Sequence, residues 1–123
     1  MKENKPFSMK DRAKSFSYAW EGISTFFRTQ HNAWIHLAAA AGVIVLGFWL
    51  DVTKGEWCWI VAAITLVFIC ELFNTALEFL TDLASPEIHP LAKKVKDVAA
   101  AAVLIAAIGA ISIGLLIFLP YFI

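Results

Sequence analysis

Charge is scarce in this chain. Asp, Glu, Lys and Arg make up 16% of its 123 residues, where a soluble domain carries about 25%. The ten basic residues are matched by ten acidic ones, so the basic surplus that a nucleic-acid binder needs is missing and that class is excluded. Cysteine is almost absent. Cys58 and Cys70 lie in apolar runs at a spacing that suits neither a disulfide framework nor a metal motif, and they read as buried thiols. No G-x-x-x-x-G-K-[ST] or G-x-G-x-x-G run occurs, so any ATP site lies outside the common nucleotide folds. No two histidines are spaced on a helix with an acid between them, which argues against zinc. No stretch before Ala33 is apolar enough for a signal-peptide core, so the N-terminus is expected to be retained.

Apolar residues are what the chain has in excess. They make up 60% of it, against about 45–50% for a soluble domain, and a single small core has no room for the surplus. This implies one all-α membrane domain, residues 1–123. Three runs, 33–50, 57–80 and 98–122, approach or exceed the ~20 apolar residues needed to cross a bilayer. Residues 8–28 differ: Met9, Phe16, Trp20, Ile23 and Phe27 share one side of a helical wheel, with Lys10, Lys14, Glu21 and Arg28 on another. That pattern predicts an amphipathic helix lying in the membrane interface.

Basic residues set the expected orientation. Lys2, Lys5, Lys10, Arg12, Lys14 and Arg28 precede the first span, and Lys93, Lys94 and Lys96 lie between the second and third, with only Lys54 in the other loop. The positive-inside rule places the N-terminus and the 82–97 loop in the cytoplasm, with the chain in the cytoplasmic (inner) membrane. Ser85, Pro86 and Pro90 break the second connection, and Pro90 suits the start of the next helix.

The second span carries Glu71, Asn74, Glu78 and Asp82. At 100° per residue the last three lie at about −60°, −20° and +20° from Glu71, so all four share one stripe. Glu71 lies about 16 Å along the axis from Asp82, within the membrane, and Glu78 about 6 Å from it. A charge at mid-membrane costs about 2.5–3.5 kcal/mol on insertion scales, which makes an embedded acid a candidate functional group. Such residues also serve as hydrogen-bonding glue between helices, a role Asn74 alone could fill. A second polar group, Glu87, His89, Lys93, Lys94, Lys96 and Asp97, falls at the cytoplasmic edge. Ammonium groups and carboxylates there suit a phosphate-bearing ligand with magnesium. They equally suit a topology signal and headgroup contact.

The run from Glu71 to Asp82 closely resembles the E-x-x-N-[ST]-[SA]-x-E-x-x-x-D signature of the small prokaryotic diacylglycerol kinases and undecaprenol kinases. The resemblance extends from Tyr18-Ala19-Trp20-Glu21-Gly22 to the Lys96-Asp97 pair and the small-residue-rich third span. It implies a homotrimer of three-span subunits with shared active sites, phosphorylating a membrane lipid alcohol from MgATP. By position, Glu71 corresponds to the catalytic base and Glu78 to a metal-ligating carboxylate. Tyr18, Glu78, Glu87, His89, Lys96 and Asp97 match nucleotide contacts. Arg12, Ala13, Tyr18, Gly22, Thr25, Glu71 and Asn74 match the lipid-substrate side, although Arg12 lies one place from the family's arginine. Gln30 falls where the family often has a second metal-binding glutamate. The Asn32-Ala33-Trp34-Ile35-His36 segment is similar to an N-x-x-I-H run commoner in the undecaprenol kinase branch, and the acceptor, undecaprenol or diacylglycerol, leans that way. The rival reading is a non-enzymatic membrane subunit conducting protons or ions, with Glu71 and Glu78 as relay groups. It accounts for the embedded acids and leaves the interfacial helix and the lysine–acid edge without a purpose.

Overall fold

A computed structural model describes residues 4–123; Lys2, which enters the orientation argument, lies outside the described residues. Four helices follow in order: α1 (Met9–Thr29), α2 (His31–Trp49), α3 (Lys54–Ala84) and α4 (Pro90–Phe118), then a 3-10 turn at Leu119–Tyr121. The fold is all-α, and three of the helices are long and apolar enough to cross a membrane.

Local chemistry explains where each helix begins and ends. Ser8 takes an extended backbone and accepts a hydrogen bond from the Asp11 amide, capping α1. Asp11 in the first turn and Arg28 in the last both complement the helix dipole. Gln30, also extended, separates α1 from α2, and the Trp34 indole donates to the Phe27 carbonyl at 2.8 Å to fasten the bend. At the far end of α2, Asp51 adopts a left-handed φ of 53°. The amides of Asp51 and Val52 then bond back to the carbonyls of Phe48 and Gly47, a Schellman ending that buries Val52. Gly47 gives the Trp57 ring room, since a Cβ there would come within 2.7 Å of it and displace the indole. Thr53 and Glu56 form a reciprocal capping box at the start of α3, and the Tyr121 hydroxyl donates to Glu56, tying the end of α4 to that turn.

Helices α3 and α4 run past the apolar stretches expected to span. At 31 residues, α3 is about 46 Å long, more than the ~30 Å hydrocarbon layer. Pro90 occupies the first turn of α4, where its missing N–H breaks no bond, and His89 Nδ1 accepts from the Leu91 amide. The expected 82–97 loop is therefore much shorter: Asp82 lies in the last turn of α3, and Lys93, Lys94, Lys96 and Asp97 ride on the first turns of α4. Helix α4 gives way after Phe118 to the 3-10 turn that holds Pro120, a residue with no N–H to continue the α-helical ladder.

Helix α3 is the axis of the fold. It packs along α4, with α2 against it and α1 touching both α2 and α3. Val52, Ile60, Ile117 and Phe118 form an apolar cluster at the α2–α3 turn. Elsewhere the buried positions are largely small, including Ala33, Ala40, Ala63, Ala99 and Ala106, which lets helix backbones approach closely. Large apolar side chains such as Phe73, Leu104 and Leu116 point outward, the arrangement of a helix whose solvent is lipid. Cys58 is likewise exposed rather than buried and Cys70 only partly covered, because in lipid an apolar run need not face the protein interior.

Candidate active site

The polar stripe of α3 is buried at one end and open at the other. Glu71 and Thr75 are each 4% exposed, Asn74 and Glu78 are half-buried, and Asp82 is exposed. A buried carboxylate needs a partner. Glu71 Oε1 finds it in His36 Nε2 of α2, at 2.7 Å. One turn on, Asn74 Nδ2 donates to Glu78 Oε1 at 3.1 Å. These bonds leave Asn74 Oδ1 and Thr75 Oγ1 buried without a partner among the described residues, an arrangement that favours an incoming ligand with donors or a cation.

Helix α1 packs on α3 beside this stripe. Phe26, 2% exposed, packs edge-on against Phe68 with ring centroids 6.5 Å apart, and Phe68 lies one turn before Glu71. Beside it runs a groove of about 500 Å³, lined by Gly22, Thr25 and Phe26 from α1 and Leu72, Thr75 and Phe79 from α3. Gly22 and Thr25 both line this groove. Arg12, Ala13 and Tyr18 are not brought to it: Tyr18 is exposed, Ala13 is exposed a helical turn and more away, and the Arg12 guanidinium lies over the Phe7 ring. Met9, Phe16 and Trp20 are exposed, so α1 turns these side chains outward and meets the protein through Phe26 and Phe27 near its end.

The polar group around the α3–α4 connection divides into separate local contacts. Lys96 Nζ meets Asp82 Oδ1 at 2.6 Å, bridging α4 to α3, and Lys93 pairs with Asp97 one turn along α4. His89 caps α4. Glu87 is exposed, and its carbonyl accepts from the Ser85 hydroxyl. Within this chain Lys96 and Asp97 therefore stand engaged with protein partners, Asp82 and Lys93, and not with each other.

Gln30 is half-buried at the α1–α2 break, its amide nitrogen 3.4 Å from Thr29 Oγ1. No hydrogen bond links it to Glu78, and no cluster of three metal-binding side chains is present among the described residues. The donors that do suit magnesium are the Glu78 carboxylate and the unpartnered Asn74 carbonyl oxygen. Magnesium keeps several waters and commonly takes one or two carboxylates plus substrate phosphates, so this sparse oxygen set fits it. His36, Thr75, Phe26 and Phe68 are members of the site that the sequence reading leaves out. Thr75 had a signal, since it falls within the polar run of α3.

Comparison with known proteins decides the family. The prokaryotic diacylglycerol kinase family matches residues 17–118, which include the whole α3 stripe. The chain belongs to this family. It is 46% identical over 107 residues to the undecaprenol kinase of Bacillus subtilis (strain 168), covering 87% of each chain. It is 43% identical over 107 residues to a diacylglycerol kinase of Synechocystis, covering 86% of this chain and 61% of that one. With the diacylglycerol kinase of Escherichia coli (strain K12) it shares 35% over 105 residues, 80% of each. Membership makes the chain a membrane-embedded lipid kinase.

Proposed function

We propose that this lipid kinase transfers the γ-phosphoryl group of ATP to the primary hydroxyl of a polyprenol of the undecaprenol class, at the cytoplasmic face of the inner membrane, as a homotrimer. The observation that carries the reading is the buried Glu71 carboxylate close to a groove under an interfacial helix. An acceptor with a long hydrocarbon tail and one hydroxyl fits the groove lined by Gly22, Thr25 and Thr75. Thr75 Oγ1, unpartnered, is placed to hold a headgroup oxygen. Glu71 accepts the hydroxyl proton as that oxygen attacks phosphorus, and the remaining residues position and shield. Glu78 and Asn74 would hold magnesium, with Gln30 completing the shell if a neighbouring subunit or closure of α1 brings it in. The metal supplies charge neutralisation for the phosphoryl oxygens. Tyr18, Glu78, Glu87, His89, Lys96 and Asp97 are the nucleotide contacts in this reading, and Lys94, which has no ion-pair partner among the described residues, adds a cation beside them; the positive-inside rule supports a cytoplasmic position for the α3–α4 connection.

Two observations support the acceptor class: the Asn32-x-x-Ile35-His36 run and the 46% identity to an undecaprenol kinase. Oligomerisation is supported by Asn74 and Glu78, which a single subunit leaves only half-buried while it closes over Glu71. Assaying purified protein with MgATP against undecaprenol and diacylglycerol in mixed micelles tests the acceptor directly. We expect a higher kcat/KM for undecaprenol. Since an apolar groove separates such substrates by only ~10–200-fold per distinguishing feature, the preference should be measurable without being absolute. A clear preference for diacylglycerol would reverse the assignment.

A further inference from the structure

Past its first residue, α2 carries one titratable side chain. That side chain, His36, sits among Ala, Ile and Leu, and it bonds to the most buried carboxylate among the described residues. Its Nε2 lies 2.7 Å from Glu71 Oε1, with side-chain exposures of 23% and 5%. Phe68 flanks the imidazole, ring centroids 6.4 Å apart and nearly perpendicular, which restricts how the ring can turn. Glu71 Oε2 makes no hydrogen bond among the described residues.

We propose that His36 is a positioning residue for the general base, a role that rests on the assignment of Glu71 as that base. An ionised carboxylate only accepts hydrogen bonds, so His36 must present Nε2–H toward it, with Nδ1 left as acceptor or carrying a second proton. A glutamate side chain has three rotatable bonds, and one bond to a fixed donor on a neighbouring helix selects a single orientation from many. With Oε1 held by His36, Oε2 is the oxygen left to take the acceptor's proton. A reacting oxygen must sit about 3–3.5 Å from its target, and a displacement of about 1 Å can lower the rate ~10²-fold. The same bond fixes α2 to α3 at the depth of the site, and a structural link of that kind is the reading that the test must separate.

The test compares His36→Leu, which removes the donor, with His36→Gln, whose amide N–H can reach toward the same oxygen. Each is made alone and combined with Glu71→Gln, and kcat, KM for lipid, KM for ATP and thermal unfolding in detergent are measured. His36→Leu should lower kcat about 10- to 100-fold while both KM values stay within about twofold of the parent. His36→Gln should recover most of the lost turnover. In the Glu71→Gln background His36→Leu should have almost no further effect, because the two side chains act as one unit. Parental kcat in His36→Leu would overturn the proposal. So would equal losses in the Leu and Gln variants together with a lowered unfolding temperature, which would leave only the structural link. Full activity in Glu71→Gln alone would instead overturn the base assignment, and the positioning role with it.

Discussion

Replacing Glu71 by Gln should reduce turnover by about 10²–10⁴-fold, the contribution of a positioned general base. The substitution keeps the shape and the ability to accept from His36 Nε2 at the amide oxygen, so the packing of α2 on α3 should survive. What disappears is the capacity to take a proton. KM for both substrates should change little, since the loss falls on an interaction made only as the hydroxyl oxygen attacks. Raising magnesium should not restore the rate. Initial rates over a magnesium titration, with lipid and ATP saturating, check both points, and full activity in Glu71→Gln would remove Glu71 from the chemistry.

Glu78→Gln should also lose most of its turnover, for a different reason. Glu78 lies about two turns along the same stripe from Glu71 and is held by Asn74 Nδ2, and the amide oxygen of Asn74 has no partner among the described residues. Removing the carboxylate charge weakens a hard-cation site without removing its oxygen donor. High magnesium should therefore recover part of the activity, with the half-saturating concentration shifted upward. The contrast between the two variants carries the information. Equal insensitivity to magnesium in both would show that Glu78 does not ligate the metal.

What could be seen in the sequence is what local pattern determines. The three apolar runs, the interfacial helix and the four-residue polar stripe all follow from hydropathy and from a 3.6-residue period, which need no knowledge of distant residues. The start of α4 at Pro90 is equally local. Contacts across helices are not legible in this way. His36 and Glu71 are 35 residues apart, and nothing in either neighbourhood shows that α2 and α3 bring them to the same depth. Lys96 meets Asp82 because the Ser85–His89 connection is short enough to return α4 alongside α3, whereas a long loop would have left the lysine free. For α1, the wheel identifies an amphipathic helix and its outward aromatic side chains. It does not single out Phe26 as the residue that is buried, since Phe26 and Phe27 are neighbours of identical chemistry and both rings reach Phe68, yet only Phe26 is closed off from solvent. The capping box at Thr53 and Glu56 is a local signal of the kind that marks a helix start before the apolar run begins.

The central claim is that the embedded acids serve phosphoryl transfer to a lipid. Purified protein reconstituted in vesicles containing a polyprenol and supplied with magnesium and ATP labelled in the γ-phosphate measures it directly. Label should move into the organic-soluble lipid at a rate proportional to protein, and Glu71→Gln should leave it in the water phase. If the wild-type protein leaves lipid unlabelled, with polyprenol and with diacylglycerol alike, while the same vesicles acquire a proton or ion conductance that vanishes in Glu71→Gln, the acids are relay groups and the account is contradicted.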